Sequence, residues 1–229
     1  MPQRNKDSRP VAVLGIGRFG LRIAKNLARG GEEVIACDRD RDSVESIADS
    51  VAQAIVLDVT DEQAMRNRGL DRAKVAVIGI GEDFEAAVLV TIILKHLGVP
   101  RIIARARTRT TAEVLMRVGA DEVVLAEDEA ADRWANRILG PNVLNQIEFH
   151  DGYSIAEFAC PASWVGKGLA ELDIRRKHRL HVIAVRRPDE GSDTGTRIDI
   201  IPPDEPLKET DVLIVLARDE CIKDLAQLS

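Results

Sequence analysis

The chain alternates short apolar runs with amphipathic stretches over residues 11–139. Each run holds three or four residues, mostly Val, Ile, Ala or Leu, as a buried parallel strand does. Each stretch that follows repeats its apolar residues with a helical period. The runs are residues 11–14, 34–37, 54–57, 75–78, 102–104 and 123–125, and the helical stretches are residues 21–28, 43–48, 62–68, 85–97, 111–118 and 132–139.

Six strand-then-helix units in succession predict an α/β domain with a doubly wound parallel (Rossmann-like) sheet and right-handed crossovers. Glycines agree with the helix ends, because Gly30 and Gly31 follow the first helix and Gly69 follows the third. We predict that this domain covers residues 10–140.

A second pattern begins after Gly140 and Pro141. Residues 141–151 show no strand signal and are interpreted as a connector. Turn-rich segments then separate four strand signals, at residues 154–159, 182–185, 198–201 and 212–216. Helical stretches lie at residues 167–177 and at the C-terminus. This predicts a small, mostly antiparallel α+β module over residues 152–229. Its polar segment 188–195 is expected to be a mobile loop.

A glycine-rich loop joins the first strand to the first helix, with the sequence Gly15-Ile-Gly17-Arg18-Phe19-Gly20. Gly15 permits a tight turn, Gly17 lets backbone approach a phosphate, and Gly20 lets the helix pack closely on the strand. The helix start near Arg18 offers N–H groups to an anion. Asp38 ends the second strand, where its carboxylate can accept hydrogen bonds from ribose and disfavours a 2′-phosphate. These features predict a nucleotide site.

Further candidates lie where the later strands end, since the carboxyl ends of parallel strands line the ligand crevice. Arg18 and Arg105 could contact phosphate, Arg39 could stack on a base, and Asp58 could bind an adenine amino group. For Arg18 and Arg39 a solvated surface side chain is an equal alternative. Asp61, Asp83 and Glu127 have a helix-capping or helix-terminal alternative. Val59, Thr60, Gly79, Ile80 and Gly81 lie in the same strand-end segments and are also predicted to contact the nucleotide.

The charge and amino-acid composition of the chain argue against several classes of protein. The net charge of −6 argues against a sequence-independent nucleic-acid binder, and no apolar stretch approaches the ~20 residues that cross a bilayer. Cys37, Cys160 and Cys221 show no metal-type spacing and fit a reduced, cytoplasmic setting. Aromatic residues make up only 3% of the chain, so the core must be aliphatic.

Catalytic groups are harder to find. A nicotinamide dehydrogenase needs an acid or base near the carbon that accepts hydride. A Tyr followed four residues later by Lys would supply one, but Tyr153 has Glu157 at that offset. No His–Asp or Cys–His arrangement emerges either. The sequence therefore favours nucleotide sensing, with an NAD-dependent oxidoreductase as the alternative and a stand-alone sensor for another transporter as a third hypothesis.

Nearly all of residues 10–227 resemble the KtrA family, the RCK-domain regulatory subunits of bacterial Ktr/Trk potassium uptake systems. The Arg and Phe inside the glycine loop and the second module make the resemblance specific. The residues that carry it are the loop 15–20, Asp38, Asp58 to Asp61, Gly119 to Asp121, Ala126-Glu127, Asn142 to Asn145, Tyr153 to Glu157 and Leu172 to Lys177.

The resemblance implies a non-enzymatic subunit whose dimers form an octameric ring beneath a membrane channel, peripheral to the inner face of the cell membrane. It implies that ATP activates and ADP inactivates, that NAD or NADH can also bind, and that Arg18 and Arg105 contact phosphates. Glu127, with its dimer partner, would hold Mg²⁺ or Ca²⁺ at the γ-phosphates. Cyclic di-AMP would bind the second module near Arg175, His181, Val182 and Pro202 or Pro203.

Overall fold

The computed structural model describes residues 7–139, 142–189 and 195–225. The chain divides into two compact units, residues 1–128 and 129–229. The central part of the loop expected at residues 188–195, residues 190–194, lies outside the described residues. Among the described residues, no helix is both long enough and apolar enough to cross a membrane.

The first unit is built on a six-stranded parallel sheet with the order β3-β2-β1-β4-β5-β6. The order reverses at β1, as in a doubly wound fold, and this confirms the predicted fold class. The strands are β1 Val11–Leu14, β2 Val34–Asp38, β3 Gln53–Val56, β4 Val75–Ile78, β5 Ile102–Arg105 and β6 Glu122–Val124.

Aliphatic side chains on both faces of the sheet make the core of this unit. All four residues of β1 are buried, and successive side chains point to opposite faces. Ala12 and Leu14 therefore join one apolar cluster, and Val13 joins another. The accompanying helices are α1 Arg18–Arg29, α2 Arg41–Glu45, α3 Glu62–Asn67, α4 Phe84–His96 and α5 Arg109–Val118. Helix α6, Ala126–Leu139, begins in this unit, and its residues from 129 onward belong to the second unit.

Side chains cap the N-termini of four of these helices. Asp40, Asp61, Asp83 and Thr108 each accept a hydrogen bond from the backbone N–H three residues later, at the starts of α2, α3, α4 and α5. Such caps satisfy N–H groups that have no partner inside the helix. The capping interpretation of Asp61 and Asp83 is thereby confirmed.

The second unit is a five-stranded antiparallel sheet with the order β10-β9-β11-β8-β7. This confirms the predicted small α+β module. Its core includes Phe158, Val185, Leu213 and Val215. Its elements are β7 Val143–Glu148, β8 Tyr153–Ala159, α7 Leu169–Leu172, α8 Ile174–Lys177, β9 His181–Pro188, β10 Thr196–Asp199, β11 Val212–Arg218 and α9 Asp219–Leu225.

Two local expectations need correction. The prediction of a connector without a strand at residues 141–151 was wrong, because β7 occupies most of it and pairs with β8. A register shift between Val143 and Asn145 breaks the apolar alternation by which a strand is recognised. The helical stretch at residues 167–177 forms two short helices instead, since Asp173 adopts the left-handed conformation between them with φ of 46°.

Candidate functional site

Three glycines bring β1, β4 and α1 together at the carboxyl edge of the sheet. Gly15 has φ of +92°, and a Cβ there would lie 2.9 Å from the Ile80 nitrogen. A Cβ on Gly20 would come within 1.9 Å of the Gly15 carbonyl oxygen, and one on Gly79 within 2.4 Å of the same oxygen. No side chain fits in these gaps, so the close approach of the helix to the sheet requires glycine at all three positions.

The Gly20→Ala variant is therefore expected to lose about 2–3 kcal/mol of unfolding free energy, since its methyl group would overpack a backbone contact. Chemical denaturation of the two proteins measures the loss. Gly17→Ser is the matched control, because a Cβ at position 17 meets no atom within 4 Å. If both variants unfold at the same denaturant concentration, the close helix–strand contact does not stabilise the fold.

Gly17 differs from the other glycines of the loop. Its backbone angles, φ −68° and ψ −176°, are open to any residue, and its Cβ position faces open space. It is also the N-cap of α1, where no side chain caps the helix, in contrast to α2, α3, α4 and α5. The first N–H groups of α1 are thus open to an anion.

A cavity of about 740 Å³ lies over this helix start. Its size falls within the range of small-molecule and cofactor sites, about 300–1,000 Å³. All the residues proposed from the sequence for nucleotide binding line it, except Gly20, which packs beneath the loop. The lining candidates are Gly15, Gly17, Arg18, Phe19, Asp38, Arg39, Asp58, Val59, Thr60, Gly79, Ile80, Gly81, Arg105 and Glu127.

Six further residues line the same cavity. Of these, the sequence had drawn attention only to Asp83 as a strand-end candidate, for which it offered a helix-capping alternative. Arg22 could have been found, because it lies one helical turn after Arg18 on α1. The other five residues carry a weaker signal in the sequence, because each lies beside residues that already accounted for its segment as a strand end, a helix cap or a helix start. They are Leu57, Glu82, Asp83, Ala86 and Ala126.

Asp38 and Asp58 are held by the backbone around them. Asp38 Oδ2 accepts a hydrogen bond from the Ile16 N–H at 2.5 Å, and its Oδ1 accepts one from the Asp40 N–H at 2.9 Å. Asp38 therefore ties the glycine loop to the end of β2. Asp58 Oδ1 accepts from the hydroxyl and N–H of Thr60 at 2.6 and 2.9 Å, and these bonds lower the pKa of Asp58. Both carboxylates are orientated acceptors with lone pairs to spare.

Arg105 is fixed at the end of β5 by three neighbours. Its guanidinium carbon lies 5.7 Å from the centre of the Phe19 ring, within cation–π range. A Cβ on Gly81 would come within 2.7 Å of Nη1, so the guanidinium lies against that backbone. Its Nη2 donates a short hydrogen bond to Glu127. The buried Nε has no acceptor among the described residues.

Glu127 lies in the first turn of α6 and is mostly exposed. Desolvation acts to raise its pKa, but a backbone hydrogen bond and the Arg105 guanidinium outweigh it, and the net pKa is lowered. Within the described residues no three His, Cys, Asp or Glu side chains cluster as metal ligands would. Glu127 alone could not complete a cation site, so further oxygens would have to come from a ligand or another subunit.

The residues considered for cyclic di-AMP all lie in the second unit. Arg175 is exposed on α8, and His181 is exposed at the start of β9. Val182 is half-buried against the core of this unit. Pro202 and Pro203 are exposed, and the Pro203 carbonyl accepts a hydrogen bond from the Ala170 N–H at 2.8 Å. No hydrogen bond between described residues joins Arg175 to either proline.

Comparison with known proteins identifies the family of this chain. The TrkA-N domain model matches residues 11–126, and the TrkA-C domain model matches residues 155–228. The chain belongs to the family of RCK-domain regulatory subunits of Ktr/Trk potassium uptake systems. This is a family of transport-system subunits and not of enzymes, so the oxidoreductase alternative is dropped.

Two relatives illustrate the family. The chain is 36% identical over 206 residues to the Ktr system potassium uptake protein C of Bacillus subtilis, covering 90% of both chains. It is 29% identical over 217 residues to the Ktr system potassium uptake protein A of the same organism, covering 94% of this chain and 95% of the relative.

Solved RCK-type structures share the fold. The GsuK channel bound to NAD matches all of this chain with a TM-score of 0.62 at 18% identity, and this chain spans 40% of that longer one. The structure of GsuK bound to ADP matches 58% of this chain with a TM-score of 0.51 at 27% identity. The matched part of this chain spans 35% of the GsuK chain.

Proposed function

We propose that this protein is a nucleotide-sensing regulatory subunit that gates a potassium uptake channel. The observation that carries the proposal is the cavity at the carboxyl edge of the parallel sheet, where the start of α1 has no side-chain cap and Arg18 and Arg105 line the wall. Anionic phosphates suit both features. The two Bacillus subtilis relatives are named as potassium uptake proteins of the Ktr system, and these names support the physiological setting.

An adenine nucleotide is the proposed ligand. In this arrangement the phosphates meet the N–H groups after Gly17 and the side chain of Arg18. Asp38 accepts from ribose, and Asp58 accepts from the adenine amino group. The ADP complex of GsuK, which is 27% identical over the matched part, supports this class of ligand, and NAD or NADH would use the same glycine loop.

Gating follows from differential binding, because a ligand shifts a two-state assembly only by its difference in affinity for the two shapes. We propose that ATP favours the active shape and ADP the inactive one. The γ-phosphate, with a Mg²⁺ or Ca²⁺ ion, would supply the difference by joining Glu127 of two subunits. A cation in that place would offset the repulsion between two triphosphates and two carboxylates.

Assembly into dimers and an octameric ring is part of the proposal. Exposed apolar side chains recur at helical spacing, with Leu89 and Ile92 on α4 and Trp134 and Ile138 on α6. Such groups on one helix face are typical of surfaces that pack against another protein. The ring would lie at the inner, cytoplasmic face of the cell membrane on its channel partner. Cyclic di-AMP would favour closure by binding the second unit near Arg175 and His181.

Calorimetric titration with ATP, ADP, NADH and cyclic di-AMP, with and without Mg²⁺, tests the proposal. We expect ATP and ADP to bind without hydrolysis, and Mg²⁺ to strengthen ATP binding more than ADP binding. Arg18→Gln should weaken ATP binding, whereas Arg29→Gln, at the other end of α1, should not. A protein that binds none of these nucleotides, or that turns over NADH with a substrate, would contradict the proposal.

A further inference from the structure

The ion pair between Arg105 and Glu127 engages both of the side chains that the proposed function assigns to the phosphate end of the cavity. Arg105 comes from the end of β5 and Glu127 from the start of α6, and both line the cavity. The Arg105 side chain is only 17% exposed, whereas Glu127 is 59% exposed. Arg105 is therefore the fixed member of the pair and Glu127 the movable one.

The contacts of Arg105 show what a phosphate would have to replace. Of the two terminal nitrogens, Nη1 lies against Gly81 and Nη2 donates to Glu127. Nε is buried and has no acceptor among the described residues, so the pairing with Glu127 leaves this N–H donor unused. A phosphate group presents several acceptor oxygens and can accept two parallel hydrogen bonds from a guanidinium. The carboxylate of Glu127 and a phosphate are thus alternative partners for one cation.

We propose that Glu127 is an internal competitor for Arg105, which opposes phosphate binding until a divalent cation engages the carboxylate. Once Glu127 turns from Arg105 to the cation, the guanidinium is free to donate to phosphate. Cation and phosphate then strengthen each other's binding through this exchange of partners, beyond their direct attraction. The inference rests on the proposed nucleotide binding in this cavity and adds a regulatory role to the pair.

The proposed exchange of partners predicts how tightly ADP binds when no divalent cation is present. Glu127→Gln removes the competing charge and keeps the size of the side chain. ADP in chelator-treated buffer should bind this variant about three- to fivefold more tightly, the range expected for a partly exposed ion pair. With ATP and Mg²⁺ the same variant should lose most of the strengthening that Mg²⁺ produces in the wild-type protein.

Removal of any nearby carboxylate would also favour an anion, so the experiment needs a matched control. Asp128 is the next residue on α6, is exposed and does not line the cavity. Asp128→Asn removes the same charge without touching Arg105. A double-mutant cycle supplies the second control, since Glu127→Gln should no longer tighten ADP binding in an Arg105→Ala background if it acts through that guanidinium.

Calorimetric ADP titrations of these variants decide the question. The exchange is supported if Glu127→Gln increases the affinity for ADP more than Asp128→Asn does, and if this increase disappears in the Arg105→Ala background. Equal gains for the two carboxylate variants, or a gain that persists without Arg105, overturn it while the proposed nucleotide function stands. If the wild-type protein binds no ADP or ATP at all, the proposed function fails, and the competitor role fails with it.

Discussion

Gly17→Asp is expected to weaken nucleotide binding severely and leave the protein as stable as the wild type, or slightly more stable. Position 17 is the N-cap of α1, with backbone angles that any residue adopts and no atom within 4 Å of its Cβ position. Asp is a preferred N-cap residue and would accept from the open N–H groups of the first turn. The same carboxylate would occupy the place proposed for a phosphate and repel it.

The expected loss of ATP affinity is about 100-fold or more, because like charges brought together at a binding interface cost several kcal/mol. Titration calorimetry measures the affinity, and denaturant unfolding measures the stability. Gly17→Asn is the matched control, since it caps the helix and has the same shape without the charge. It should bind ATP more tightly than Gly17→Asp. If Gly17→Asp binds ATP normally, the phosphates do not lie at the start of α1.

Asp211→Ala is expected to destabilise the second unit by about 3 kcal/mol, the lower end of the usual cost of removing one member of a buried ion pair, because Arg187 keeps its ion pair with Glu205. Asp211 is buried before β11 and accepts two hydrogen bonds from Arg187 of β9, both at 3.0 Å. Only 8% of the Arg187 side chain is exposed. The hydrogen bonds with Asp211 raise the pKa of Arg187, so the guanidinium would stay charged and buried without its main partner.

The same carboxylate also fixes the approach to β11. Asp211 Oδ2 accepts from the Lys208 N–H at 2.9 Å, and Glu205 forms a further ion pair with Arg187. Hydrogen exchange should therefore increase in residues 202–211 of the variant, alongside the loss measured by denaturant unfolding. Glu209→Ala removes an exposed carboxylate two residues away and should change little. A loss below about 1 kcal/mol for Asp211→Ala would mean that the pair is not stabilising.

Much of the first unit could be predicted from the sequence because its strands are buried on both faces. Such strands read as short aliphatic runs, and the observed strands β1 and β4 have the predicted bounds. The glycine loop and Asp38 were also identifiable, since the turn between a strand and a helix has a strong local signature. β7 was missed because it lies at a sheet edge with a register shift, where pairing with β8 matters more than its own pattern.

The sequence by itself determined the α/β class of the first unit, its glycine loop and most of the residues around the cavity, because these depend on local periodicity and on strand ends that share one edge. Only the tertiary structure decided which glycine serves the fold and which leaves space for a ligand. Gly20 is pressed against the Gly15 carbonyl, whereas Gly17 faces open space. It also decided that Arg105 pairs with Glu127, since the two are 22 residues apart and meet only where the end of β5 lies beside the start of α6.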